Sequence, residues 1–470
     1  MTKKHILFIP FDAIALQEMM PTAKKILADS NYVPLFYLCW SIFPMEVQFF
    51  KEEHFRQLDE AGMEIYDRES TMPRYRQIKE TLYITIKRAI RDKIMPTTIW
   101  GIMANTKKFL QMQNRIKKLF NEKDVAAVVL ISDRVLGWEA VAVKLANKRR
   151  IPTFIVPFSL YSPRGDVKNR MIKENFEQFF VGRSFQKIVS KILFPRIIHN
   201  YEGRDIFFFP FQAAVSGWVL GLLPENPWTI GGGRASRMAV ENEFFRNILI
   251  EQGVTPSKMV VTGKPSSDYI YETLKQGDPD VIRGELGIAG DKKILLCAVP
   301  QLAEHELTSW ERHWWEIEFL LYTFSKLPNV ATVLSLHPRS HPPDYTPVAE
   351  RYGAVIARRR IYELLPISDV FVATYSTTVM FAVGMAKPTV VVDFYGLDHD
   401  IYNRAPGVMI VNRRDQLGPS LKKLFMDDIY YDSLAASQKK SAGQWLVLDG
   451  KCTERVVGEI YALIEDRFTT

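Results

Sequence analysis

Short runs made almost wholly of apolar residues recur along this chain, and they leave few folds open. They lie at 5–10, 33–38, 125–131 and 153–156 in the first half, and at 293–298, 331–336, 370–373, 389–392 and 408–411 in the second. A strand apolar on both faces must be covered on both faces, which is the situation of a parallel sheet between layers of helices. Helical patterns at 136–150, 309–325 and 379–385 separate the runs, and such alternation predicts doubly wound α/β sheets. A chain of 470 residues is long for one core, so two domains of roughly 200 residues each are expected. The turn Gly277-Asp278-Pro279 reads as the linker. This gives a first domain over 1–277 with a helical insert at about 70–120, a second over 278–430, and closing helices over 431–470 that pack back toward the first domain.

Composition removes several classes. Hydrophobic residues at 47% and charged residues at 24% exclude a disordered or fibrous chain. Cys39, Cys297 and Cys452 are odd in number and far apart, which suits neither a disulfide framework nor a zinc site and predicts a reducing, cytoplasmic compartment. The apolar start is interrupted by Asp12 and Glu18 with no small-residue cleavage site after it, so a first strand is expected there rather than a signal peptide. The run 206–223 carries no formal charge, but Pro210, Gln212 and Ser216 favour buried core, or an interfacial or acceptor-facing segment, over a membrane span.

The net charge of +8 is unevenly placed. Between Arg74 and Lys118 there are twelve Lys or Arg against only Glu80 and Asp92, interleaved with Ile84, Ile86, Ile90, Ile94, Trp100, Phe109 and Ile116. That pattern fits either a solvated face packed on its own domain or a helix lying on an anionic membrane surface. No nucleic-acid-binding module shows its spacing, so no nucleic-acid partner is expected.

The chemistry gathers at two strand ends. The run 331–336 delivers His337-Pro338-Arg339, and 370–373 leads to Ser376-Thr377-Thr378 ahead of a helix. In one parallel sheet an imidazole, a guanidinium and three hydroxyls emerge at the carboxyl ends, where open α/β sheets bind ligands, and the helix's first N–H groups face the same anion. A phosphate is the ligand this predicts. Gly231-Gly232-Gly233 has neither Rossmann nor Walker spacing around it and reads as a flexible turn. Asp398-His399-Asp400 lies in the wrong context for a metal-binding triplet, and His337 with His341 lacks an evident third ligand, so neither metal nor cofactor is expected.

Five segments resemble the nucleotide-binding half of GT-B glycosyltransferases. They are Val261-Thr262-Gly263-Lys264-Pro265, Leu336-His337-Pro338, the segment from Leu364 to Val370, Tyr375-Ser376-Thr377-Thr378 and Gly384-Met385-Ala386-Lys387-Pro388. Similar pieces occur in this order in UDP-N-acetylglucosamine 2-epimerases, CDP-glycerol glycerophosphotransferases and bacterial sialyltransferases. The resemblance implies two Rossmann-like domains facing a cleft. It also implies nucleotide or phosphate contacts at His337, Pro338, Arg339, Ser376, Thr377, Thr378, Gly263 and Lys264. Val379, Met380 and Phe381 stand where many UDP-sugar enzymes carry a ribose-binding glutamate, which turns attention to CMP- or CDP-linked donors beside UDP-linked ones.

The implied activity is metal-independent transfer from a nucleotide-sugar to a glycan, lipid-linked or protein acceptor of the bacterial surface, at or near the inner membrane face. An inverting transferase needs a base on its first domain. Asp133, after the run 125–131, is the first candidate and Asp12, after the first strand, the second. A sugar-nucleotide epimerase or hydrolase and a noncatalytic membrane-associated scaffold are the alternatives.

Overall fold

The computed structural model describes residues 4–38, 50, 52–67, 99–157, 163–172, 179, 185–304, 308–337, 340–374, 376–396 and 401–469. Cys39, Pro338, Arg339, Tyr375, the Asp398-His399-Asp400 triplet and most of the basic segment before Ile99 lie outside them. The chain divides into two compact units. The first comprises Met1–Glu241, Phe245–Ser266 and Lys451–Thr470, and the second Asn242–Phe244 and Ser267–Gly450. The main division therefore falls at Ser266 and Ser267 rather than near Gly277. Of the closing helices, Cys452–Thr469 belongs to the first unit and Asp428–Trp445 to the second.

The first unit contains β1 (His5–Phe8), β2 (Val33–Phe36), β3 (Glu64–Ile65), β4 (Val125–Leu130), β5 (Thr153–Ile155), β6 (Ile198–Tyr201), β7 (Arg204–Phe207), β8 (Arg237–Val240) and β9 (Met259–Val261). Seven of these form one parallel sheet in the order β3-β2-β1-β4-β5-β8-β9, and β6 pairs antiparallel with β7. Side chains alternate across the sheet. Ile6, Phe8, Val129 and Ile131 pack with Leu16, Met19 and the closing helix residues Val456 and Ile460, whereas Leu7, Ile9, Val128 and Leu130 pack with Ile116, Leu119, Val141 and Leu145. Each such large side chain, fully buried, contributes about 1.5–3 kcal/mol, and the doubled apolar faces explain why the strands read as continuous runs.

The closing helix is held to this sheet by polar contacts as well. Arg237 reaches Glu459 at 2.7 Å, and Arg455 Nε donates to the Thr262 carbonyl at 2.8 Å.

The uncharged run 206–223 is buried core and a short helix. Ile206, Phe207, Phe208 and Phe209 join Phe194, Ile197 and Trp228 in a separate cluster, and the helix Phe211–Val219 follows. Among the described residues no helix is long and apolar enough to cross a membrane. The described part of the basic insert is one helix, Ile99–Glu122, whose Phe109, Met112, Ile116 and Leu119 pack into the first unit's core.

The second unit contains β10 (Lys293–Ala298), β11 (Val330–Ser335), β12 (Val355–Ala357), β13 (Val370–Ala373), β14 (Thr389–Val392) and β15 (Val408–Val411). All pair in parallel in the order β12-β11-β10-β13-β14-β15. Ser309 caps the helix Trp310–Ser325 by accepting from Arg312 N, and that helix's Ile317, Leu320, Leu321 and Phe324 cover Leu295, Cys297, Val370 and Val372. Cys297 is an inert core thiol, its pKa pushed up to about 12 by burial.

Candidate active site

In the second unit the chain runs outward from β10 through β11 to β12, then returns to the other side of β10 as β13 and continues to β15. The strand order reverses at the β10–β13 boundary, the switch point where open α/β sheets leave a crevice at their carboxyl ends. Register puts three ends at one level: Ala298 pairs with Ser335, and Cys297 with Val372. His337 and Ser376 thus leave strands on opposite sides of β10, two strand spacings or about 10 Å apart.

His337 is exposed, and its carbonyl accepts from Ser340 N at 2.9 Å. The Ser-Thr-Thr segment is a tight turn. The Ser376 and Thr378 hydroxyls lie 2.6 Å apart, and Thr378 N donates to Ser376 Oγ at 3.3 Å. The Ser376 carbonyl accepts from Val379 N at 3.1 Å and from the Tyr402 hydroxyl at 2.6 Å. Tyr402 is almost completely buried, and burial raises its pKa, so the hydroxyl stays a proton donor under the turn. Thr377 is exposed and Thr378 opens the helix Val379–Gly384. The turn therefore offers hydroxyls while its backbone is fixed from below.

The neighbouring recurrent segments brace this turn. Asp369 Oδ2 accepts from Ile294 N at 2.6 Å, joining the start of β13 to β10. Lys387 Nζ donates to the Pro366 and Ser368 carbonyls at 2.9 and 2.8 Å, and burial lowers its pKa. A side chain on Gly384 would strike Leu446 Cβ at 2.3 Å.

Gly263 and Lys264 belong to the first unit. Gly263 adopts φ +77°, a conformation that suits glycine, and Lys264 Nζ pairs with Glu18 at 3.0 Å. Lys264 also acts on Glu241, whose pKa is raised by burial and lowered by that ammonium.

The two candidate bases occupy different surroundings in the first unit. The Asp133 carboxylate is fully buried: Oδ1 accepts from Gly231 N at 3.1 Å, and Oδ2 from Ala235 N at 3.1 Å and Lys258 Nζ at 2.8 Å. Lys258 Nζ also donates to the Gly231 and Gly233 carbonyls at 2.6 and 2.9 Å. A Cβ on Gly233 would lie 2.0 Å from the Asp133 carbonyl oxygen, and one on Gly232 2.0 Å from that of Asn226. The triple glycine is thus a close-packed wrap around a buried ion pair, not a flexible turn. Asp133 has the geometry of its anchor, with three donors and no exposed oxygen.

Asp12 is only half-buried. It caps the helix Ala13–Asp29 through Ala15 N at 2.7 Å, and burial raises its pKa against the pull of the Ala15 and Ile14 N–H groups.

A third carboxyl escaped sequence reasoning. Glu139, in the first turn of the helix Trp138–Lys148, is 4% exposed, and among the described residues its Oε1 has no hydrogen-bond partner. Burial raises its pKa to about 7, opposed by its own backbone N–H and assisted to a lesser extent by the Asp12 charge. As a first-turn acid on an amphipathic helix it looks in sequence like an ordinary dipole-compensating residue. Only the packing around it separates the two cases.

Comparison with known proteins joins these observations. Residues 235–461 match the family model of CDP-glycerol:poly(glycerophosphate) glycerophosphotransferases. No curated protein matches the chain. Among solved structures, the glycotransferase of kitacinnamycin superposes with a TM-score of 0.55 at 12% identity, covering 98% of this chain and 100% of that one. UDP-GlcNAc 2-epimerase from Neisseria meningitidis bound to UDP-GlcNAc gives 0.53 at 12% identity, with 97% and 100% covered. The S. aureus MnaA-UDP co-structure gives 0.51 at 13% identity, with 98% and 97% covered.

The fold is that of the GT-B glycosyltransferase superfamily. In this GT-B chain the family-model match begins just before β8 and includes every described candidate residue except Asp12, Asp133 and Glu139.

Proposed function

We propose that this GT-B protein transfers a group from a cytidine-nucleotide donor of the CDP-glycerol or CDP-sugar class onto a cell-envelope acceptor. The observation that carries the reading is the Ser376–Thr378 turn at the switch point of the second sheet, within a region matching glycerophosphotransferases. Its hydroxyls suit a diphosphate, and Val379, Met380 and Phe381 supply no ribose-binding carboxylate of the kind that favours UDP-sugars. His337, exposed across β10, is assigned to the phosphate that carries the leaving charge, with Pro338 and Arg339 beside it in the chain. Stabilisation of that charge by imidazole and hydroxyls requires no metal. Asp12, partly exposed and made more basic by burial, is assigned the acceptor's proton; Asp133 is assigned to holding the glycine wrap.

The acceptor is assigned to a membrane surface. On the first unit Ile99, Trp100 and Met103 are exposed at the start of a helix that carries Lys107 and Lys108. Packed on it through Ser216 Oγ to the Ile102 carbonyl at 2.9 Å, the helix Phe211–Val219 exposes Trp218 and Val219. Trp218 in turn meets Phe194 edge-on, and the helix Phe185–Leu193 that precedes Phe194 exposes Ile188 and Ile192. Exposed apolar side chains on a helix that also carries lysines suit an anionic interface.

A thermal-shift panel of CMP, CDP, UDP and GDP tests the nucleotide assignment, because a ligand that binds only the native state raises the melting temperature. CDP or CMP is expected to give the largest rise. Silence across the panel overturns the proposal.

A further inference from the structure

The first unit holds a second carboxyl beside the assigned base, and no step described so far uses it. β1 and β4 are neighbours, with Phe8 paired to Val129 and Ile9 N donating to the Val129 carbonyl at 3.1 Å. The loop carrying Asp12 and the helix carrying Glu139 therefore rise from adjacent carboxyl ends. Asp12 caps one helix and Glu139 sits in the first turn of the other. Gly137, at the cap position, borders this corner: a Cβ there would make an ordinary contact with Glu139 Oε2 at 3.5 Å. On the far side Tyr37 packs edge-on against Trp138 at 5.3 Å. Among the described residues, Asp12 is the ionised group that acts on Glu139.

A buried carboxyl with an unpartnered oxygen is expensive to keep in a packed unit. Substitution by an apolar residue would remove the cost, which points away from a packing role. Like carboxyls at close quarters cannot both ionise freely, so their protons leave in two coupled steps.

We propose that Asp12 and Glu139 form a coupled carboxyl pair in which Asp12 takes the acceptor's proton and Glu139, one layer deeper, is the positioning residue that sets how basic Asp12 is. This rests on the transferase reading given above. In the step, the acceptor O–H bond breaks toward Asp12, the freed oxygen bonds to the transferred group, and the nucleotide leaves with the electron pair of the broken donor bond. With Glu139 protonated, Asp12 carries the only charge of the pair and is a weak base. When Glu139 ionises, a second negative charge raises the proton affinity of Asp12. Transfer is therefore sensitive to pH near neutrality, where the deeper carboxyl titrates.

The experiment follows the carboxyls and the reaction separately in the full chain. Infrared difference spectra between roughly pH 5 and pH 9 report protonated carboxyls, and nucleotide release from CDP-glycerol reports turnover over the same range. Wild type is expected to show one buried carboxyl titrating near neutrality. In Glu139→Gln that titration disappears, and in Asp12→Asn it moves to lower pH because the neighbouring charge is gone. The pH–rate profile of Glu139→Gln loses its neutral inflection while KM for CDP-glycerol stays within about twofold, and Asp12→Asn loses turnover at every pH.

A neutral titration that survives Glu139→Gln, or one unmoved by Asp12→Asn, overturns the pairing. So does a Glu139→Gln profile lowered uniformly with its shape intact, as a purely structural role requires. A wild type with the infrared signature but no release from CDP-glycerol, CMP-sugars or UDP-sugars places the failure in the transferase reading instead, and with it the role of the pair in transfer.

Discussion

Replacing Glu139 by glutamine should stabilise the protein, and by an amount that depends on pH. The carboxyl titrates at about 7 in the folded chain against an ordinary 4.5. The difference corresponds to about 3 kcal/mol, each pH step of one being worth about 1.4 kcal/mol. The folded pKa is raised, so the folded state holds a proton that the unfolded chain has already released between 4.5 and 7. The stability linked to that proton is fully present below 4.5 and is lost as the pH rises through 7. Glutamine copies the shape of the protonated acid and cannot ionise. Wild type and Glu139→Gln should therefore unfold at nearly the same denaturant concentration around pH 4, and diverge until the variant is more stable by about 2–3 kcal/mol at pH 8. Urea titrations at several pH values, read on the transition of the first unit, measure this. A difference between the two proteins that stays constant from pH 4 to 8 would refute the reasoning, because it would mean that Glu139 does not change its ionisation in this range.

Other outcomes follow from individual contacts. Tyr402→Phe removes the hydroxyl that donates to the Ser376 carbonyl at 2.6 Å, and loss of about 1 kcal/mol of support under the turn should weaken CDP binding roughly fivefold by calorimetry. Lys258→Met leaves the Asp133 carboxylate buried with only two backbone donors and should destabilise the first unit by about 3–5 kcal/mol; unchanged melting would show that Asp133 is not held as an ion. Incubation with UDP-GlcNAc should yield no epimerised sugar by NMR, and its appearance would favour an epimerase over a transferase.

The two parallel sheets were legible because their strands are covered on both faces: 331–336 and 370–373 read as buried runs, and both are central strands of one sheet. The placement of the Ser376–Thr378 turn was legible for the same reason, since a hydroxyl cluster shortly after a buried parallel strand lies at that strand's carboxyl end. The structural uses of Gly231, Gly232 and Gly233 were not legible. Their need for glycine comes from the Asp133 and Asn226 carbonyls, and the loop from 226 to 235 folds back over a residue about a hundred positions earlier. Asp133 followed a strand as a base would, and nothing in its neighbours announced Lys258, which comes from the segment before β9. Glu139 and Tyr402 were hidden by ordinary local contexts, a first-turn acid and a loop aromatic. Burial, a tertiary property, gives each its chemistry.

The central claim is that the turn at Ser376–Thr378 holds a nucleotide diphosphate. Calorimetric titration of CDP into wild type and into the double variant Ser376→Ala, Thr378→Ala tests it most directly. Loss of hydroxyls that bond a charged group costs about 1.5–3 kcal/mol, so the account expects saturable binding by wild type and an affinity at least about tenfold weaker in the variant. Equal affinity in the two proteins would contradict it.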